Sequence, residues 1–498
     1  MLKLAPIFTD HAVLQRGKPV RIFGTADTQT VTVRYRDAAV TAPVRPDGTW
    51  TAVLPAMPAG APETLTVTAD SETLTREDVV LGDVWLCGGQ SNMELTLGNS
   101  KDPAPALEAC ADQKVRLYHV GKHGHFDDQF YAEEAASCWQ LPCRDACQHW
   151  TAVGYHFAAM LSAHLGVTIG LVECCYGGTS VSAWLSEATL RASEAGRAYL
   201  DDYAARMGDK TEDEANADYL DYCRYQQAWE QRAAACYAKD PHMRWADVIA
   251  ACGENRYPGP AAPIDPLRPH GLYDTMIARI VPYTMKGVLY YQGESDDHRP
   301  DTYAALLRDL IGEWRREFRD AELPFLMVQL PMFVYANDNN GDNWARIRAA
   351  QEQVFRTVKN TGLAVILDCG EFDEIHPKEK RTPAKRLALQ ALERAYRKDV
   401  DDATSPFLRD ILPEGEGMRL TFWHTGTGLV LHGTAGFELC ASDGTWHPAA
   451  PTVSDDTLFL SAPDVPHPIG ARYAWINYGE VTLFTRAGLP AAPFCRMI

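Results

Sequence analysis

Six apolar runs, each four to eight residues long, recur through the middle of the chain at 84–87, 115–120, 167–174, 287–291, 325–330 and 363–367. Amphipathic stretches separate the later ones. Tyr303, Leu306, Leu307, Leu310, Ile311 and Trp314 fall on one face at helical spacing, and Ile347, Ala350, Val354 and Phe355 do the same. Strands that are apolar almost without interruption must be covered on both faces. Alternation with helices therefore predicts a parallel sheet with helices on either side. In that architecture ligands sit beyond the carboxyl ends of the strands, so chemistry is sought there.

The two ends of the chain follow a different rule. Val31, Val33 and Tyr35 alternate with Thr32, Arg34 and Arg36, the period of a half-buried strand, and Leu65, Val67 and Ala69 alternate with polar residues. Asp47-Gly48-Thr49-Trp50 supplies a hairpin turn between such runs, and Asp443-Gly444-Thr445-Trp446 echoes it near the other end. Short strand candidates at 419–423, 428–432, 437–441 and 458–460 make the carboxyl-terminal part β structure as well. The expected organisation is a β-sandwich over 1–80, an α/β catalytic domain over 81–400 and a β domain over 401–498. A helical insertion over 187–265 interrupts the alternation and ends in Tyr257-Pro258-Gly259-Pro260. Its Tyr219, Tyr222, Tyr225, Trp229 and Tyr237 are read as packing for a helical hairpin that can act as a lid.

A formal net charge of −19 over 498 residues argues against a polyanion-wrapping surface, so no nucleic-acid partner is expected. No run of about eighteen apolar residues exists, and no membrane span is expected. The first residues, Met1-Leu2-Lys3-Leu4-Ala5-Pro6, do not read as a signal peptide. Thirteen scattered cysteines, with Cys174 and Cys175 adjacent in an apolar run, read as free thiols rather than a disulfide framework. The expected location is cytoplasmic.

Four strand ends carry candidate chemistry. Val84-Trp85-Leu86-Cys87 runs into Gly88-Gly89-Gln90-Ser91-Asn92, a turn that lifts a serine to the sheet edge with backbone N–H groups facing the same space. Gly177-Gly178 after the third run can aim a backbone N–H into that crevice, as an oxyanion needs. Gln292 after the fourth offers a neutral side-chain donor. The neighbouring Glu294 and Asp296 leave a glycosidase acid or a metal ligand open. Beyond the sixth run lies Asp373-Glu374-Ile375-His376, a loop that can present an imidazole to a serine while a carboxylate holds its other ring nitrogen. His119, His123 and His125 have no carboxylate or thiolate at a matching spacing, and no metal or other cofactor is expected.

Gly89-Gln90-Ser91-Asn92-Met93, Gly177-Gly178-Thr179, Gln292-Gly293-Glu294-Ser295 and Ile375-His376-Pro377-Lys378 resemble the blocks of the SGNH hydrolases, and more narrowly the sialate O-acetylesterase family of carbohydrate esterases. Asp10-His11-Ala12-Val13-Leu14-Gln15-Arg16, Gly271-Leu272-Tyr273-Asp274, Arg386-Leu387-Ala388 and Arg472-Tyr473-Ala474-Trp475 resemble further landmarks of that family, so the likeness spans nearly the whole chain. It implies a flavodoxin-like three-layer catalytic domain with flanking β domains. It implies Ser91 as nucleophile and His376 as general base, with the oxyanion received by the N–H groups of Ser91 and Gly178 (or Gly177) and the side chain of Gln292. The superfamily spacing puts the acid at Asp373, three residues before His376, and many sialate esterase-like sequences carry it two before, where Glu374 stands. Asp373 is the expected acid.

The implied reaction is removal of acetyl groups from an acetylated mono- or oligosaccharide by two-step acyl transfer through Ser91. A carboxylate beside His376 would favour the charged imidazole and raise its pKa. Two other readings are a carbohydrate-binding protein on an inactive hydrolase fold and a glycosidase using paired carboxylates.

Overall fold

The computed structural model describes residues 1–240 and 243–498. Its organising element is the strand β1 (Glu72–Gly89). The first residues of β1 are exposed or half-buried, whereas every residue from Val79 to Gly89 is buried. The change follows its neighbours. The first part pairs antiparallel with Glu63–Ala69 and has one face open, and Val80–Gly82 pairs parallel with Val13–Gln15. The last part lies in the middle of the central sheet, where the apolar Val84-Trp85-Leu86-Cys87 run is covered on both faces. The boundary expected at residue 80 thus falls inside one strand.

The other parallel strands are β2 (Val115–His119), β3 (Ile169–Cys175), β4 (Gly287–Tyr291), β5 (Phe325–Val328) and β6 (Thr361–Ala364). Their spatial order is β2-β3-β1-β4-β5-β6, with Trp139–Gln140 antiparallel beside β2. With β2 set aside, the remaining five follow the flavodoxin-like order two-one-three-four-five. The winding reverses at β1, so a crevice opens beyond the carboxyl ends of β1, β3 and β4.

Helices among the described residues include α1 (Ser91–Glu94), α2 (Ala152–Leu165), α3 (Glu194–Met207), α4 (Glu212–Lys239), α5 (Trp245–Cys252), α6 (Pro300–Glu317), α7 (Asn343–Thr357) and α8 (Arg381–Arg394). α2 packs with α8, α2 against β2 and β3 and α8 against β5 and β6, and α6 packs with α7. The face of α6 expected from its spacing is the buried one. α2 starts where the Thr151 side chain accepts from the Gly154 N–H, and stops at Gly166 with φ +71°.

The inserted segment is helical. α4 begins with a capping box, in which Thr211 and Glu214 satisfy each other's backbone N–H. Trp229, Ala233, Val248 and Cys252 form a small core between α4 and α5, and the Trp229 indole donates to Gly253 O at 2.8 Å. Residues 241 and 242 of this insertion lie outside the described residues.

Antiparallel sheets flank the centre on both sides. Residues 3–54 contribute one made of Lys3–Leu4, Val20–Thr25 and Thr49–Leu54, and the segment after residue 406 builds three more. The two echoing turns are built alike: Asp47 Oδ1 accepts from Thr49 N and Asp443 Oδ1 from Thr445 N, each at 2.9 Å, and Gly48 and Gly444 have φ of +81° and +87°. All thirteen cysteines are free. Among the described residues no helix is long and apolar enough to cross a membrane.

Candidate active site

Gly89 ends β1 with φ +129°, and a Cβ there would fall 2.1 Å from the carbonyl oxygen of Tyr291. Only glycine lets β1 pass so close to the end of β4, where Gln90 N–H donates to the same carbonyl at 3.0 Å. The chain turns at once into α1, whose first residue is Ser91. Its Oγ lies 2.8 Å from Nε2 of His376.

His376 comes from the loop beyond β6. The Asn92 side chain, one residue after the serine, donates to Ile375 O at 2.9 Å and holds that loop against the turn. Burial, seconded by the charge of Lys380 and opposed by Glu94, pushes the His376 pKa down to about 4. With 43% of the side chain open to solvent, water tempers that depression. The direction is nonetheless opposite to the rise expected from the sequence.

The reason lies in the acids. Asp373 has φ +61°, a left-handed conformation that aspartate tolerates, and its Oδ1 accepts from Ala336 N at 2.9 Å. The backbone thus turns this carboxylate toward the loop after β5, and the structure does not bring Asp373 to the imidazole as expected. Glu374 is the nearer acid. Its Oε1 accepts from the backbone N–H of His376 at 2.7 Å and stands 3.9 Å from Nδ1, beyond hydrogen-bond length. Burial raises the Glu374 pKa, against the pull of that backbone donor.

The glycine pair reaches the serine. A Cβ on Gly177 would lie 3.4 Å from Cβ of Ser91, and Tyr176 N–H donates to Gly89 O at 3.1 Å. Gly178 has φ +76°, and its carbonyl accepts from the Tyr257 hydroxyl at 3.2 Å. Gln292 departs from its expected use as an oxyanion donor. It is buried, its Nε2 donates to Thr179 O at 3.0 Å and to Asp296 Oδ2 at 2.5 Å, and its Oε1 accepts from the Tyr303 hydroxyl at 3.0 Å. Both amide hydrogens are therefore spent inside the protein. Asp296 is the cause: its buried carboxylate also accepts from Val181 N at 3.0 Å and from the Tyr199 hydroxyl at 2.6 Å. Burial raises its pKa. Gln292 and Asp296 brace the glycine loop, and neither presents a free group to the crevice.

A family model described as carbohydrate esterase, sialic acid-specific acetylesterase matches residues 81–213 and 262–394. The chain belongs to that family. Sialate O-acetylesterases of Mus musculus and Homo sapiens are 28% and 27% identical to it, each alignment covering 100% of this chain and 94% and 92% of theirs. The crystal structure of a carbohydrate acetylesterase from Xanthomonas citri superposes with a TM-score of 0.78 at 28% identity, over 99% of both chains. The protein is a carbohydrate esterase of the sialate O-acetylesterase kind. The stretch that the family model passes over, 214–261, holds nearly all of the α4–α5 hairpin and Tyr257.

Three buried residues beside the Ser91–His376 pair escaped the sequence reading as a group. Lys380 Nζ donates to Asn92 Oδ1 at 2.6 Å, and Asn92 Nδ2 donates to Glu294 Oε1 at 2.6 Å. Burial lowers the Lys380 pKa to about 8, with Glu294 opposing. Asn92 adjoins Ser91 in sequence and could have been suspected, whereas nothing local marks Lys380. His119, His123 and His125 face separate carboxylates, Glu173, Glu133 and Asp127 at 3.8, 2.8 and 3.2 Å.

Proposed function

We propose that the chain removes O-acetyl groups from acetylated carbohydrates by a serine-centred acyl transfer. The reading rests on one observation, the 2.8 Å approach of Ser91 Oγ to His376 Nε2 at the carboxyl end of the strand where the winding reverses. His376, neutral because its pKa is depressed, takes the serine proton as Ser91 attacks the acetyl carbonyl. The backbone N–H groups of Ser91 and Gly178 receive the developing oxyanion, Gly177 allowing the loop its close approach to the serine. The protonated imidazole then gives its proton to the departing sugar oxygen. Water repeats the attack on the acetyl-serine and returns the enzyme. Glu374 is the acid of this arrangement: it steadies the loop through the His376 N–H and faces Nδ1 as the imidazolium forms.

Ser91→Ala tests the reading. Acetate release from p-nitrophenyl acetate and from acetylated sugars should vanish, while the thermal midpoint stays within a few degrees, because a half-buried hydroxyl contributes little to the core. Turnover near the wild-type level would overturn it.

A further inference from the structure

A cavity of about 390 Å³ opens beside the catalytic loop, bounded by Ile375, by the Glu294–Asp297 turn after β4 and by the segment after β5. It falls in the size range of small-ligand sites. Two observations say what it takes. Glu294 forms part of its wall and is only 5% exposed; its Oε1 is held by Asn92, and its Oε2 is enclosed, with no hydrogen-bond partner among the described residues. A carboxylate so enclosed is costly to ionise, and burial raises the pKa of Glu294 and of Asp297, so a further negative charge in the cavity would be disfavoured.

The second observation is charge. The ionisable groups of the lining are Glu294, Asp297, Asp338 and Tyr335, and no lysine, arginine or histidine is among its residues. Lys380, the cation that acts on Glu294, is turned away, its Nζ on Asn92 and over the Tyr291 ring at 5.2 Å from the centroid. Carboxylates accept and cannot donate when ionised, so they suit a ring edged with hydroxyls, and Trp344 and Phe333 supply apolar walls. A carboxylated sugar would meet three acids and no counter-charge.

Resting on the esterase reading above, we propose that this cavity is the subsite for the sugar being deacetylated, that it takes an uncharged glycosyl unit whose hydroxyls donate to Asp297, and that it discriminates against sialic acids.

The test compares kcat/KM for acetate release from a monoacetylated methyl glucoside, from N-acetylneuraminic acid acetylated on its glycerol tail, and from p-nitrophenyl acetate, which carries no sugar. The wild type should prefer the neutral sugar to the sialic acid by about tenfold or more, the scale of one lost charged hydrogen bond. Asp297→Asn should lower kcat/KM on the neutral sugar through KM, about tenfold further than on p-nitrophenyl acetate. Asp338→Arg, at the exposed rim, guards against a misfolded Asp297 variant and should narrow the preference by improving the sialic acid. Equal or better turnover of the sialic acid by the wild type, or losses in Asp297→Asn that are the same on both esters, would overturn the subsite. Failure of the esterase reading looks different: p-nitrophenyl acetate would not be cleaved, or would be cleaved equally by Ser91→Ala.

Discussion

At the scale of single residues, two adjacent acids have exchanged the parts that spacing suggests. Asp373 spends its carboxylate on Ala336 N, whereas Glu374 spends Oε1 on the backbone of His376 and faces Nδ1. Glu374→Gln should therefore lower kcat by roughly ten- to a hundredfold, and Asp373→Asn by much less, with steady-state acetate release as the measurement. A larger loss in Asp373→Asn would restore the three-residue spacing. The pH profile carries a second expectation. The base must be neutral, and a depressed pKa keeps it neutral into acid, so kcat/KM should hold its plateau down to about pH 6 and fall only below it. Lys380 contributes to the depression, so Lys380→Gln should move the falling limb to higher pH by roughly half a unit. The meeting of Ser91 with His376 was legible in the sequence because a Gly-Gly-x-Ser turn and a post-strand loop are local features. The choice between Asp373 and Glu374 was not, since it turns on the sign of one φ angle. Nor was the engagement of Gln292, whose partners Thr179 and Tyr303 come from other strand ends and helices.

At the scale of elements, periodicity carried most of the fold. The buried stripe of α6 and the apolar runs of β3, β4 and β5 need only the neighbours that helices and strands always have. The echo between the Asp47 and Asp443 turns is likewise local chemistry, an aspartate oxygen accepting from the residue two ahead. β1 is the exception. Its first part alternates and its second does not, so the pattern reads as two elements with a boundary, although the hydrogen bonding is continuous. The junction between β1 and α1 offers the sharpest test. Gly89→Ala needs a positive φ and puts a methyl against Tyr291 O, so it should cost more than about 1 kcal/mol in denaturant unfolding. It should also lower kcat by displacing Ser91, and a variant with wild-type stability and turnover would refute the argument.

At the scale of the whole molecule, a buried guanidinium is among the ties between the carboxyl-terminal β sheets and the central sheet. Arg348 on α7 is fully buried and donates to Ile476 O at 2.9 Å, Asn477 O at 2.6 Å and Pro331 O at 3.2 Å. Asn477 in turn lines the cavity beside Ile375 and bonds Asn343 at 2.6 Å. Arg348→Met would leave the Ile476 and Pro331 carbonyls without a donor, Asn477 O keeping only the Phe333 N–H, and should destabilise the protein by on the order of 3 kcal/mol, read from denaturant midpoints. Its KM for an acetylated sugar should rise along with that loss. The strand Glu72–Gly89 has a consequence of another kind. A module that can be traded between genes as a cassette needs a seam, a place where chain crosses from one body to the next with few bonds at stake. Here the crossing is made mid-strand, with Val13–Gln15 hydrogen-bonded to Val80–Gly82 immediately before the central pairing begins at Asp83 and Trp85. A recombination joint at that point would have to reinstate both sets of pairings in one event, so the first β module and the Ser91 turn should be inherited together.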